Sequence, residues 1–264
     1  MQLNRYRWVT KCLPVAAISA LFIFLFLPAP AYAMHIAEGI LPFYPAAAWY
    51  ALSAVFVGIG IYMIKRKTQE DRSIMPLLGI TGAAVFLISC LPIPVPIAGT
   101  CSHPCGTPLA AILVGPFIST VLAALALLIQ ALFLAHGGFT TWGANIFSMG
   151  VMGSFVGFGS FVLFRRLHAP LFIAAFAAGL FGDWATYATT AFELASGLGT
   201  ESSLWNMFAT ILIAFAPTQI PLGILEGLFT GGVVSLIYKQ RPELLDFRLA
   251  TAGIVKEMVK GGNA

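Results

Sequence analysis

Long apolar stretches separated by short polar connections dominate the chain. Runs of roughly 20 apolar residues match the hydrocarbon thickness of a bilayer. The pattern predicts membrane spans over residues 45–64, 74–90, 146–164 and 171–192. A further stretch over 205–238 is long for one crossing, so part of it is expected to be tilted, kinked or non-helical at Pro217 and Pro221. Residues 109–135 look like one long helix. Gly115-Pro116 interrupts it, because proline removes a helix hydrogen bond and clashes with the preceding turn. Two short helices are therefore expected there. The predicted fold is all-α: a polytopic membrane helix bundle of about seven transmembrane segments, with Pro-rich 91–108 and polar 193–203 as connections outside it.

The first 33 residues read differently. Arg5, Arg7 and Lys11 form a basic head, 15–27 is an apolar run too short for a comfortable span, and Pro28 and Pro30 lead to Ala31-Tyr32-Ala33. This is the layout of a cleavable signal peptide, with an uncleaved anchor as the alternative. Residues 1–33 are read as the signal. Residues 34–264 are read as one membrane-embedded domain with a short C-terminal tail.

Composition and charge then set the class and the orientation. Hydrophobic residues make up 59% and charged residues 9% of the chain. A soluble domain carries about 25% charged residues, so lipid has to be the solvent for most of this one. The net charge of +4 is no sign of nucleic-acid binding. Three of the 14 basic residues and none of the ten acids precede position 34, leaving a nearly balanced mature chain. All remaining basic residues fall in three places: Lys65 to Arg72, Arg165 with Arg166, and Lys239 onward. Basic residues collect on the cytoplasmic side. The mature N-terminus and the 91–108 loop are thus expected outside, the C-terminus inside, in a bacterial or archaeal cell membrane. The 109–135 stretch must leave and return to the outer face, or Arg165 and Arg166 would emerge outside. Small residues at Ala47, Ala51, Ala54 and Gly58, and at Gly79 and Ala83, allow close helix approach. Internal packing is the simpler reading, and docking to a partner membrane subunit the sharper one.

Cleavage after Ala33 would free the amine of Met34 directly before His35. Amine, His35 peptide nitrogen and His35 Nδ1 then close a five- and a six-membered chelate ring and place three nitrogens in one plane. One position stays open, and His103, in the outer Gly99-to-Thr107 loop, is the candidate to fill it. Four planar nitrogens suit Cu(II), Ni(II) and low-spin Co(II). Glu38 is placed to orient His35 or hold the N-terminal loop. His136 and Asn145 are candidates to orient ligands, with loop-end and capping roles as their simpler readings. His168, beside Arg165, is read as interfacial. Cys101 and Cys105 pair, bind metal, or are inert. Asp183, Glu226 and Gln130 are polar groups at membrane depth, and such carboxylates are often functional. Interhelical hydrogen bonding is the simpler account of them.

Met34-His35-Ile36-Ala37-Glu38-Gly39-Ile40-Leu41-Pro42 resembles the mature start of the cobalt-transport family CbiM, the substrate-capture components of energy-coupling-factor transporters. The loop around His103 resembles a second family signature, and His136-Gly137-Gly138 with Thr141, Gly143, Ala144 and Asn145 a third. The likeness covers nearly all of the mature chain. It implies a metal site built from Met34, His35 and His103, Co(II) as transported substrate with Ni(II) as the alternative, and no organic cofactor. It implies as partners a transmembrane coupling subunit, ATPase subunits and a small accessory membrane subunit, with the cobalt feeding cobalamin synthesis. The chain has no Gly-x4-Gly-Lys-Ser/Thr loop, so ATP hydrolysis is expected in a partner, and no His-Glu-x-x-His. A membrane metalloenzyme and a structural module with incidental histidines are the other classes. N-terminal sequencing of the active, membrane-inserted protein is expected to begin at Met34, and a start at Met1 would remove both the topology and the metal site.

Overall fold

The computed structural model describes residues 32–33, 35–91, 93–95, 100–198, 203–242 and 244–245. Met34, most of the expected signal segment and most of the C-terminal tail lie outside the described residues. Seven helices are present among those described. They are α1 (Phe43–Glu70), α2 (Ile74–Ser89), α3 (Thr107–Val114), α4 (Pro116–Phe133), α5 (Trp142–Arg166), α6 (Leu171–Leu198) and α7 (Leu204–Gln240). All except α2 and α3 are long and apolar enough to cross a membrane. A minimal sheet accompanies them: β1 (Tyr32–Ala33) pairs in parallel with β3 (Thr100–Ser102), and β2 (Ile93–Val95) pairs antiparallel to β3.

The break at Gly115-Pro116 is where it was expected, but the two helices it separates are unequal. Gly115 adopts φ 90°, a conformation open to glycine, and Pro116 begins α4. The eight residues of α3 rise only about 12 Å, so α3 cannot cross a bilayer alone. Every residue of α3 is buried. Irregular backbone at membrane depth is tolerated only where protein or water satisfies it. The expected outer loop over 91–108 is corrected accordingly. Its last part, with Ser102, His103 and Cys105 buried, dives into the bundle and continues as α3.

Two other expectations change. Helix α7 continues through Pro217 and Pro221 without a non-helical break. Its 37 residues rise about 56 Å, well beyond the roughly 30 Å hydrocarbon core. Packing against α6, the most extensive helix pair, holds it together. Helix α6 in turn runs on to Leu198, so Glu193 is a buried helix residue instead of the start of an outer loop.

The helix ends sort by chemistry. Met63 and Ile64 (end of α1), Leu77 (start of α2), Phe164 (end of α5), Leu171 (start of α6) and Ile237 (end of α7) pack around one core. These are the ends that carry Lys65, Arg66, Arg165, Arg166 and Lys239. At the other end Ile36, Leu41, Ala46, Ala144 and Leu194 form a separate cluster beneath the N-terminal segment. Helix α1 lies at the periphery. Ala47, Ala51, Ala54 and Gly58 are exposed, as are Gly79 and Ala83 on α2, so the internal-packing reading of these small residues is wrong.

Apolar area alone does not drive helix association in lipid, so close backbone approach has to. A Cβ on Gly179 of α6 would stand 2.6 Å from the Glu226 carbonyl oxygen of α7. A Cβ on Gly58 would meet nothing within 4 Å. Gly179→Ala is expected to cost about 1–3 kcal/mol through overpacking and to lower the unfolding midpoint in detergent. Gly58→Ala should leave that midpoint unchanged.

Candidate metal centre

The small sheet brings two distant segments into register. Ala33 pairs with Cys101 in parallel, so His35 and His103 each follow the pair by two positions. His136 enters from the α4–α5 connection. The His35 and His103 ring centroids lie 4.5 Å apart, His35 and His136 4.8 Å, and His103 and His136 5.3 Å. One ring nitrogen of each histidine lies within 4.8 Å of one from each of the others. His136, expected to act on a ligand from outside, thus stands among the possible ligands.

Hydrogen-bond directions settle which nitrogens are available. Ser89 Oγ donates to the Val85 carbonyl at 2.7 Å, so it accepts from Gln130 Nε2, also at 2.7 Å. Gln130 Oε1 then faces His35, and His35 Nε2 donates to it at 3.0 Å. The lone pair of His35 is left on Nδ1, the nitrogen that closes the six-membered chelate. His103 Nδ1 donates to the Pro104 carbonyl at 3.1 Å, and His103 Nε2 is buried with no partner among the described residues. His136 Nε2 is likewise buried and unpartnered. Gln130 was visible in the sequence only as a polar residue at depth. Its link to His35 spans 95 positions and leaves no local signal.

Asn145 holds the segment after His35. Its Oδ1 accepts the Ile36 N–H at 2.9 Å and its Nδ2 donates to the Ile36 carbonyl at 3.2 Å. Thr141 Oγ1 donates to the same carbonyl at 2.5 Å. Gly137, at φ 84°, lets the turn pass close, since a Cβ there would stand 3.3 Å from both His35 Cβ and Asn145 Nδ2. Glu38 acts elsewhere than on His35: its carboxylate accepts the Thr140 N–H at 3.1 Å and pins the N-terminal loop to the α4–α5 turn. His168 is exposed at the far end of α5.

Below the histidines, Tyr187 of α6 donates to the His103 carbonyl at 2.7 Å. Glu226 of α7 accepts the N–H groups of Cys105 at 2.8 Å and Gly106 at 2.7 Å. The hydrogen-bonding expectation for Glu226 is met, but its partner is the loop backbone at the N-terminus of α3. Cys105 is a free, buried thiol, so it is neither paired nor an outer loop residue. The Cys101 side chain lies outside the described residues.

The family described as cobalt uptake substrate-specific transmembrane region, CbiM, matches residues 35–244. The chain belongs to the CbiM family. A cobalt transport protein CbiM of Geobacter sulfurreducens is 56% identical over 230 residues, covering 87% of this chain and 66% of that protein. A cobalt transport protein CbiM of Sorangium cellulosum is 53% identical over 213 residues, covering 81% and 95%. The crystal structure of a truncated transition metal transporter superposes with TM-score 0.69 at 29% identity, covering 78% of this chain and 99% of that one. As a CbiM family member the chain is a multi-pass membrane component of cobalt transport and not an enzyme.

Burial, with the neighbouring imidazoles, holds His35 well below its ordinary pKa of 6.5. Burial and His136 lower His103 to about 4, and burial lowers His136. The folded, metal-free protein keeps all three rings neutral, whereas the unfolded chain takes up protons as pH falls through 6.5. Their burial therefore supports the fold above pH 6.5, and that support is lost from 6.5 down toward about 4. Circular-dichroism melts of metal-free protein should show a falling midpoint across that window, with a shallower fall for His103→Gln.

Proposed function

We propose that this protein captures Co(II) outside a bacterial or archaeal cell as the substrate-binding subunit of an ATP-driven energy-coupling-factor importer. The observation that carries this reading is the convergence of His35, His103 and His136, with lone pairs available, at the bundle end opposite the basic residues. By the positive-inside rule the basic ends face the cytoplasm and the histidines face outward. Cleavage after Ala33 removes β1 and frees the Met34 amine beside His35. Amine, His35 peptide nitrogen, His35 Nδ1 and His103 Nε2 then supply the four planar nitrogens. His136 is left outside that plane, and Gln130, Asn145 and Thr141 hold the ligands in orientation. Ni(II) accepts the same donors, and the names of the relatives favour cobalt.

The exposed small-residue face of α1 suits a partner helix at close range, which supports docking to a transmembrane coupling subunit. ATPase subunits supply the energy, with a small accessory membrane subunit completing the assembly. The imported cobalt feeds cobalamin synthesis.

Cobalt uptake by intact cells tests the site. His35→Ala, which loses the six-membered chelate ring, should impair uptake more than His103→Ala, which leaves three nitrogens. Asn145→Ala should weaken capture about 10- to 100-fold. Normal uptake by both histidine variants at normal protein levels would show that the site does not exist. The imidazoles are already neutral, but binding also requires the His35 peptide nitrogen to give up its proton to solvent, so each ion bound releases that proton in addition to any carried by the amine. Binding should weaken as pH falls through the amine's range of about 7.7–8.0, where protons compete for it. Impermeant thiol reagents should label cysteines placed at the exposed Phe139 or Thr140 and not beside Lys65 or Arg165.

A further inference from the structure

A second cluster lies deeper than the histidines. Cys105, Asp183 and Glu226 each offer one ligand atom, all within 4.8 Å of one another, and all three residues are buried. They come from three elements: the loop entering α3, the middle of α6 and the middle of α7. Cys105 Sγ stands 3.8 Å from Asp183 Oδ1. The two carboxyl groups also lie within hydrogen-bond reach of each other.

Glu226 is accounted for, because it caps the amides of Cys105 and Gly106 at a helix N-terminus. Asp183 is not. It is 0% exposed, and among the described residues no N–H or O–H donor reaches its Oδ2. An orphan carboxylate oxygen facing a second carboxylate and a thiol in a membrane interior needs a positive charge between them. That charge is a proton or a metal ion. The donor set, one sulfur and two carboxylates, suits a borderline divalent transition metal, for which tetrahedral bonds of about 2.3 Å to sulfur and 2.0–2.2 Å to oxygen are usual. The observed spacing needs only small side-chain movements to reach that geometry.

We propose that Cys105, Asp183 and Glu226 form a second, interior metal site that receives Co(II) from the histidines on its way inward. Cys105 follows His103 by two residues, so one short segment carries a ligand of each site. An ion leaving the nitrogen donors would meet sulfur and oxygen donors next. On binding, the thiol proton and the proton shared by the carboxyl groups leave, and three bonds to the metal form. The ion binds as thiolate and two carboxylates, with a water or a backbone oxygen free to complete four ligands.

Titration of the purified mature protein, with its N-terminus verified at Met34, in detergent with Co(II) tests this, read by elemental analysis and near-ultraviolet absorption. Two Co(II) per chain are expected, the second bringing a sulfur-to-cobalt charge-transfer band. Cys105→Ser should abolish the band and keep the first equivalent. Asp183→Asn, nearly isosteric, should weaken the second equivalent roughly 10-fold or more. His103→Ala should weaken the first and keep the band. Saturation at one Co(II) without the band overturns the interior site and spares the capture reading, as does a band that survives Cys105→Ser. A band with no histidine-bound ion does the reverse. Failure to bind any Co(II) overturns both.

Discussion

Backbone polar groups buried away from water must be paired within the protein, and the loop that carries His103 is buried in the helix bundle. Its N–H and C=O groups must find partners on the surrounding helices. Glu226 takes the amides of Cys105 and Gly106, and Tyr187 supplies a donor to the His103 carbonyl. Thr107 donates to the Met149 carbonyl, and Ser119 donates to the Thr107 carbonyl. Met149 sits in the π-helical turn Ile146–Met152 within α5. Such turns occur often at functional sites. Without these bonds the half-helix α3 could not stand at depth, and His103 would not be buried beside His35.

The same requirement explains why the site is assembled from both ends of its contacts. The N-terminal segment has too few residues to fold alone. Asn145 and Thr141 grip Ile36, and Glu38 ties the other side of the turn to Thr140. Gln130 and Ser89 then set the proton on His35 Nε2. Burial keeps the imidazoles neutral, which is the form that binds a metal. Position, tautomer and protonation state are thus fixed together, before any ion arrives.

Much of this was legible in the chain itself. The periodic apolar runs marked the helices because their length matches a bilayer, and Gly115-Pro116 marked the break because neither residue continues a helix comfortably. The Met34-to-Pro42 motif pointed to the family because it is a long run that resembles the family's mature start. Other features were invisible. The small-residue face of α1 read more simply as packed and is exposed, since helical spacing says which residues share a face and not what covers it. Prolines 217 and 221 left tilt, a kink or a non-helical break open for α7, and the structure removes the last of these, with α6 packed along the helix.

Of the seven spans expected, five helices among the described residues are long and apolar enough to cross. By itself, the sequence determined the solvent of the chain, its helical class, the end at which the basic residues gather and the identity of the first metal-ligand candidates. These follow from composition and local spacing, which need no knowledge of neighbours. Only the tertiary structure decided that His136 joins His35 and His103, that Gln130 sets the tautomer of His35, and that Cys105 meets Asp183 and Glu226. Those groupings join residues up to 121 positions apart. Each depends on how a buried half-helix finds hydrogen-bond partners among helices distant in the chain, which is a property of the packed bundle and of no single segment.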